Sequence, residues 1–431
     1  MRVAIFSNYN GYLKAYSPLM IAEMQLKMLV NNGYKPVFIA SDGFHPPKGT
    51  VYDNVEIRKI PEVPVYNEVQ QDSTFQKDID LLTKRIKEVL KDVDVVLTHD
   101  LIYLPDYLKH NIACRRVALE LPKLRWIHMI HSASSPTILI QERTFYENEY
   151  TKLLQEKFPN SIILFPNSYD IPRVARHHNF EEDEVKVCPH AIEYCEFNKF
   201  EAVTKRLVSK YNLLVKDVIC VYPCRLDRGK QPHINIEIMA EIKKLGLSVA
   251  MIFADFHSTG GDKVTYRDEM KSLAREKGLE GDVIWISEFE PETELEVDKN
   301  VIADLFELSN VFILPSRSET YSLIAQEALA KGNFLILNQD FAPFRSIYKD
   351  YAIYKSFSAN IGMDGLDGEI NTTYGDREAY MRDIAHYINY VLKNDRVLAG
   401  KTYIRKKRNM QVVFQNYLQP LLSWQPKETN E

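Results

Sequence analysis

The chain has no CxxC pair, and its five cysteines, Cys114, Cys188, Cys195, Cys220 and Cys224, are scattered and odd in number. That pattern excludes a self-contained disulfide framework and fits a reducing compartment, so a cytoplasmic protein is expected. Cys220 and Cys224 stand in an apolar run and read as buried thiols rather than zinc ligands, and no metal site is expected. No run of about 18 apolar residues occurs, which excludes a membrane-crossing helix. The opening MRVAIFS turns polar too early for a signal peptide. Excess charge is also missing. A net charge of -5 over 431 residues, with both signs mixed along the chain, leaves no global basic field for nucleic acid or an anionic membrane. There is no internal repeat and no low-complexity segment. No GxGxxG follows the first strand of either half, which argues against a nicotinamide-dependent enzyme.

What is present is a long alternation of short β-branched runs with amphipathic stretches. Arg2–Ser7 reads as a buried strand, Ser17–Asn32 as a helix with apolar residues at helical spacing, and Lys35–Ala40 as the next strand. This is a βαβ unit with parallel strands. Strands follow at Asn54–Lys59, Asp94–Thr98, Leu124–Ile130 and Ser161–Phe165, with helices at Thr74–Lys91 and around Thr137–Glu156. Pro61–Asp72 reads as a loop. A second series has strands at Val218–Pro223, Ser248–Ala254, Asp282–Ile286, Val311–Leu314 and Asn333–Leu337. Its helices are expected at Ile234–Lys244, Tyr266–Lys277, Val301–Leu308 and Leu323–Ala330. Two successive series predict an α/β protein of two doubly wound Rossmann-like domains facing across a cleft, with ligand-binding loops at the carboxyl ends of the strands. The expected division is 1–205, 206–400 and a C-terminal helix in 401–431 that packs back on the first domain. One or two long helices are expected over Arg377–Ser423.

Two strand-ending turns carry the chemistry. In VFILPSRSETYSLIAQEALAKG, an apolar strand ends at Pro315, a polar turn follows, and a helix begins. Glu319 precedes that helix and Glu327 lies within it. The backbone N–H groups of Thr320, Tyr321 and Ser322 at the helix start suit a phosphate. In CVYPCRLDRGKQP, the turn carries Arg225, Arg228 and Lys230. A diphosphate leaving group needs such cations: Arg acts as a bidentate fork and Lys as a point charge. Arg228 reads as a solvated surface residue.

These two motifs, Arg225–x4–Lys230 and Glu319–x7–Glu327 followed by Ala328–Gly332, resemble the C-terminal domain of the large retaining GT-B glycosyltransferase family that includes sucrose synthase and the phosphatidylinositol mannosyltransferases. The resemblance covers Val218–Leu337, including ADLFELSNVFILPS. It implies that Arg225 and Lys230 hold the donor diphosphate, Glu319 the donor-sugar hydroxyls and Glu327 the ribose hydroxyls. In the first half, Gly11 in the loop Asn8–Tyr12 takes the place of the family's Gly-Gly loop, with one glycine where the family has two. His131 in RWIHMIHS takes the place of the family's histidine after a mid-domain strand. His99 in VLTHDL is the second candidate, and His128 packs within its strand. Ser322 stands where the family has Gly, and Pro189–Glu193 replaces the family's Asn-Gly-hydrophobic-Asp turn, with His190 in it.

The resemblance implies transfer of a sugar from a nucleotide-diphosphate sugar with retention, without metal and with no cofactor beyond that donor substrate. No DxD pair follows a strand as a metal-bridged site would require. Competing readings are a nucleotide-sugar epimerase of the same fold, which needs no acceptor, and a non-catalytic nucleotide-sugar-binding protein. The acceptor is open. A modified DNA base or a lipid surface would need one of the basic clusters, Arg115-Arg116, Lys123/Arg125 or Lys401–Arg408, and the acidic total favours a solvated face for each.

Overall fold

The computed structural model describes residues 1–66, 74–142, 149–256, 263–290, 296–317, 319, 321–357 and 376–425. These form two compact units: Met1–Ile192 with Met410–Glu431, and Glu193–Asn409.

The first unit is built on a seven-stranded parallel sheet. Its strands are β1 (Val3–Phe6), β2 (Val37–Ser41), β3 (Glu56–Ile60), β4 (Val95–His99), β5 (Arg125–Met129), β6 (Ser161–Phe165) and β7 (Val185–Val187), in the order β3-β2-β1-β4-β5-β6-β7. Successive side chains leave opposite faces. Ala4 and Phe6 enter one core while Val3 and Ile5 enter the other. Both faces are covered, which is why the strands read as unbroken apolar runs. One face is covered by the helices Gln76–Leu90, Leu108–Glu120 and Ile171–His178. The other face carries the helix Ser17–Asn31 and the C-terminal segment, whose Val413, Phe414, Leu418 and Leu422 are buried in that core. Each such side chain contributes about 1.5–3 kcal/mol by leaving water.

The second unit carries a six-stranded parallel sheet of β8 (Val218–Arg225), β9 (Val249–Phe256), β10 (Val283–Trp285), β11 (Val311–Leu314), β12 (Phe334–Asn338) and β13 (Ala352–Lys355), in the order β10-β9-β8-β11-β12-β13. The helix Arg377–Asn394 packs on Pro232–Lys244, fixed by Arg377 and Glu237 at 2.8 Å. The helix Arg396–Lys407 buries Arg405, which donates to the carbonyls of Leu213 and Leu214 at 2.7 and 3.1 Å. The α/β class expected from the sequence, two doubly wound sheets followed by C-terminal helices, is the one observed.

Details depart from the sequence reading. The expected long helix around Thr137–Glu156 is a short helix, Pro136–Glu142, and a separate 3-10 turn, Thr151–Gln155, with 143–148 outside the described residues. The second unit begins at Glu193, ahead of the division expected between residues 205 and 206. The helix Ala202–Tyr211 docks there through Asp304, which accepts from Thr204 Oγ1 at 2.8 Å and from the Glu201 amide at 2.7 Å. No helix of the described residues is long and apolar enough to cross a membrane.

Candidate active site

In a doubly wound sheet, ligands bind where the strand order reverses, outside the carboxyl ends of the two strands that flank the reversal. In the second unit those strands are β8 and β11. The turn after β8 carries Arg225 to Lys230, and the turn after β11 carries Pro315 to Ser322. The two motifs that stand about ninety residues apart in sequence therefore lie at one sheet position. Lys230 Nζ meets Glu319 Oε1 at 2.5 Å, with both side chains largely buried. The Arg317 amide donates to the Gly229 carbonyl at 2.9 Å and joins the turns through the backbone.

Local chemistry fixes this geometry. Asp227 Oδ1 accepts from the Lys230 amide at 3.1 Å, capping the short turn Arg228–Lys230. The Tyr222 hydroxyl donates to the Lys230 carbonyl at 2.9 Å. Gln231 sits in left-handed backbone at φ 50° and is fully buried. Its amide donates to the Pro315 and Phe357 carbonyls at 2.6 and 2.8 Å, pinning the first turn to the second. The sequence reading missed this residue, because nothing in a lone Gln after a basic turn signals a cross-link. It also missed Asp255, fully buried at the end of β9. That carboxylate accepts from Ser287 Oγ at 2.5 Å and lies 3.6 Å from both Lys263 and Arg267. A lone Asp closing the apolar run AMIFAD was the available signal.

Arg225 ends β8 with its side chain exposed. Arg228 turns outward, 3.1 Å from Glu269 and with its guanidinium 5.0 Å from the Tyr266 ring centre. Ser322 caps the helix Leu323–Ala330 in left-handed backbone at φ 68°. Its hydroxyl is buried and finds no hydrogen-bond partner among the described residues. The Tyr348 hydroxyl donates to the Ser322 carbonyl at 2.7 Å and holds this turn from below. Tyr321 is exposed, Glu327 lies on the exposed face of the helix, and Thr320 lies outside the described residues.

The first sheet reverses between β1 and β4. Gly11, in the loop after β1, is exposed, and a Cβ there would meet nothing within 4 Å. Close backbone approach falls instead on Gly43, where a Cβ would come within 2.7 Å of the Asn10 carbonyl oxygen and closer still to its side chain. Gly43→Ala should therefore push the Asn8–Tyr12 loop outward and destabilise the protein by about 1–3 kcal/mol. Chemical denaturation checks this; a midpoint equal to wild type would show that the loop yields freely.

His99 ends β4 and His131 follows β5. His99 Nδ1 lies 3.1 Å from His131 Nε2, and His99 Nε2 lies 2.9 Å from Gln25 Oε1. The ring of His190 stands 6.0 Å from that of His131. Burial makes all three imidazoles harder to protonate. It drives His99 well below the usual histidine range, brings His131 down to about 4, and lowers His190 with help from His131. Asp100 is pushed up to about 6 by burial, although its carboxylate accepts from the His131 amide at 3.0 Å. His128 is buried within β5 and bonds Thr98 Oγ1 at 2.8 Å.

Residues 204–397 match the family model described as glycosyl transferases group 1, a span of under half the chain. The match contains both turns of the second sheet and ends before the C-terminal helices that join the first unit. The match makes residues 204–397 similar to that family. No match was found among curated proteins. Similar solved structures include Anabaena HepE in complex with UDP, at 11% identity, covering 98% of this chain and 100% of that one, with a TM-score of 0.35. Sucrose-phosphate synthase from Thermosynechococcus elongatus is 13% identical over 98% of this chain and 96% of its own, with a TM-score of 0.33. WaaG, a glycosyltransferase involved in lipopolysaccharide biosynthesis, is 9% identical over 94% of each chain, with a TM-score of 0.31. These scores are low, and the fold assignment rests on the strand order itself.

Proposed function

We propose that the protein transfers a sugar from a nucleoside-diphosphate sugar to an acceptor hydroxyl, with retention at the anomeric carbon and without a metal ion. The observation that carries this reading is the meeting of Lys230 and Glu319 at the reversal point of the second sheet, inside the matched family span. In this reading Arg225 and Lys230 bind the diphosphate, Glu319 the sugar hydroxyls, and Glu327 the ribose. Tyr321 and Ser322, at the start of the helix Leu323–Ala330, face the phosphates in this reading. A carboxylate suits a diol because it accepts two hydrogen bonds at once.

Breaking the bond between C1 and the phosphate oxygen builds positive charge on the sugar ring and negative charge on the leaving diphosphate. Arg225 and Lys230 neutralise the second charge, the role a divalent cation plays elsewhere. The acceptor oxygen bonds to C1 from the face the phosphate leaves, and its proton passes to a phosphate oxygen. Gly11 and His131 are the first unit's proposed contributions. A member of each basic cluster is engaged inside its own unit, which speaks against a nucleic-acid acceptor. Arg115 donates to the carbonyls of Leu153, Glu156 and Lys157, Arg125 to that of Trp424, and Lys406 pairs with Asp217.

The test is a panel of nucleoside-diphosphate sugars incubated in EDTA. Released nucleoside diphosphate, and the anomeric configuration of any product, would be followed by NMR. Release in EDTA with retained configuration is expected. Strict dependence on added Mg²⁺ or Mn²⁺, or inversion, would overturn the finer reading. Free nucleotide with an altered sugar and no acceptor would make the enzyme an epimerase.

A further inference from the structure

The histidine chain has a direction that its ends dictate. A neutral imidazole carries one N–H and one lone pair. Gln25 Oε1 only accepts, so His99 Nε2 bears the proton and donates across 2.9 Å. His99 is fully buried and neutral, so its Nδ1 is the lone pair. His131 Nε2 must then donate to it across 3.1 Å. The remaining nitrogen of His131, Nδ1, is left unprotonated.

We propose that Gln25 is a positioning residue: acting through His99, it holds His131 in its Nε2–H tautomer and so makes His131 Nδ1 an acceptor for a hydroxyl of the reactants. The placement supports this role. Gln25 is itself buried, on the helix Ser17–Asn31, and lies on the wall of a mostly apolar cavity of about 190 Å³ that Ser17 and His190 also line. Met20, Met24, Met28 and Val413 line that cavity as well. An apolar surround lets few other donors compete for the Gln25 carbonyl. The His99 and His131 rings are 5.3 Å apart and nearly parallel, so each restrains the other's rotation. The charged or titratable groups that face His131 are His99, His190 and Asp100. Asp100 bonds the His131 backbone amide, which leaves the ring nitrogens to the chain just described. The functional consequence rests on the reading that His131 contacts the reactants; the tautomer does not.

The test reads the tautomer directly, without substrate, by long-range ¹H–¹⁵N correlation of the imidazoles in the full chain at neutral pH. In the wild type, His131 is expected as Nε2–H with a bare Nδ1. Gln25→Met nearly conserves volume and removes the acceptor. It is expected to mix the His131 tautomers and to lower kcat about tenfold with little change in donor KM. An Nδ1–H His131 in the wild type, which the opposite orientation of the Gln25 amide would produce, overturns the proposal. So does an unchanged tautomer in Gln25→Met. A lost tautomer with unchanged kcat leaves the chain standing and removes His131 from the reactants.

Discussion

Lys230→Ala is expected to lower turnover by ~10²–10³-fold, the cost of removing a preorganised charge aimed at developing negative charge. The fold should survive. Residue 230 serves the turn through its amide, which donates to Asp227, and through its carbonyl, which accepts from Tyr222; neither involves the side chain. What is lost is the ammonium held 2.5 Å from Glu319. In the free enzyme that pair keeps Lys230 oriented, and a bound diphosphate would share the ammonium with Glu319. Lys230→Arg should rescue only in part, since a planar fork does not replace a point charge at the same stem length. Steady-state kinetics with an unchanged circular dichroism spectrum check this. Turnover within twofold of wild type would remove Lys230 from the site.

Acid should unfold the first unit before the second. Burial brings His131 and His178 down to about 4 and His110 to about 3, with His99 and His128 also well below the usual range. All five lie in the first unit. His233, in the second, falls to about 4, chiefly by burial. The unfolded chain takes up these protons near pH 6.5, while the folded protein refuses them until a lower pH. Their stabilising effect is thus complete above about pH 6.5 and is lost as pH falls through the folded values. Asp100, raised to about 6, works in the opposite direction between its unfolded value and 6, but is a single group. The net loss for the first unit is on the order of several kcal/mol, a large share of a domain's stability. Calorimetry at pH 7.5 and pH 5 should show the first unit's transition falling by well over ten degrees and the second's by less. Parallel shifts of both transitions would contradict this. His110, whose ring nitrogens find no partner among the described residues, is the site where His→Leu should recover stability at low pH.

The candidate site at the β8 and β11 turns was legible in the sequence because its signals are local. A buried parallel strand is a continuous apolar run, so its end and the polar turn beyond it can be read directly, as at Pro315 and Arg225. What a turn meets is not local. Lys230 and Glu319 were each legible, but their contact needed the strand order. The helix Leu108–Glu120 was missed because its buried face includes Lys109, His110 and Asn111, which hide the apolar period. Lys109 is held there by Asp78 at 2.6 Å. The edge strand Ala352–Lys355 is too short and half-buried to stand out. Gln25, His99 and His131 belong to three separate elements, and only the fold brings them into line.

The most direct test of the central claim is donor binding to the wild type, Arg225→Ala and Glu327→Ala. It would be measured by calorimetric titration with nucleoside diphosphates and nucleoside-diphosphate sugars in EDTA. One nucleotide class is expected to bind the wild type, and both variants are expected to weaken it at least tenfold while their melting temperatures without ligand stay close to wild type. Equal affinity in all three proteins would place the nucleotide elsewhere and contradict the site described at the β8 and β11 turns.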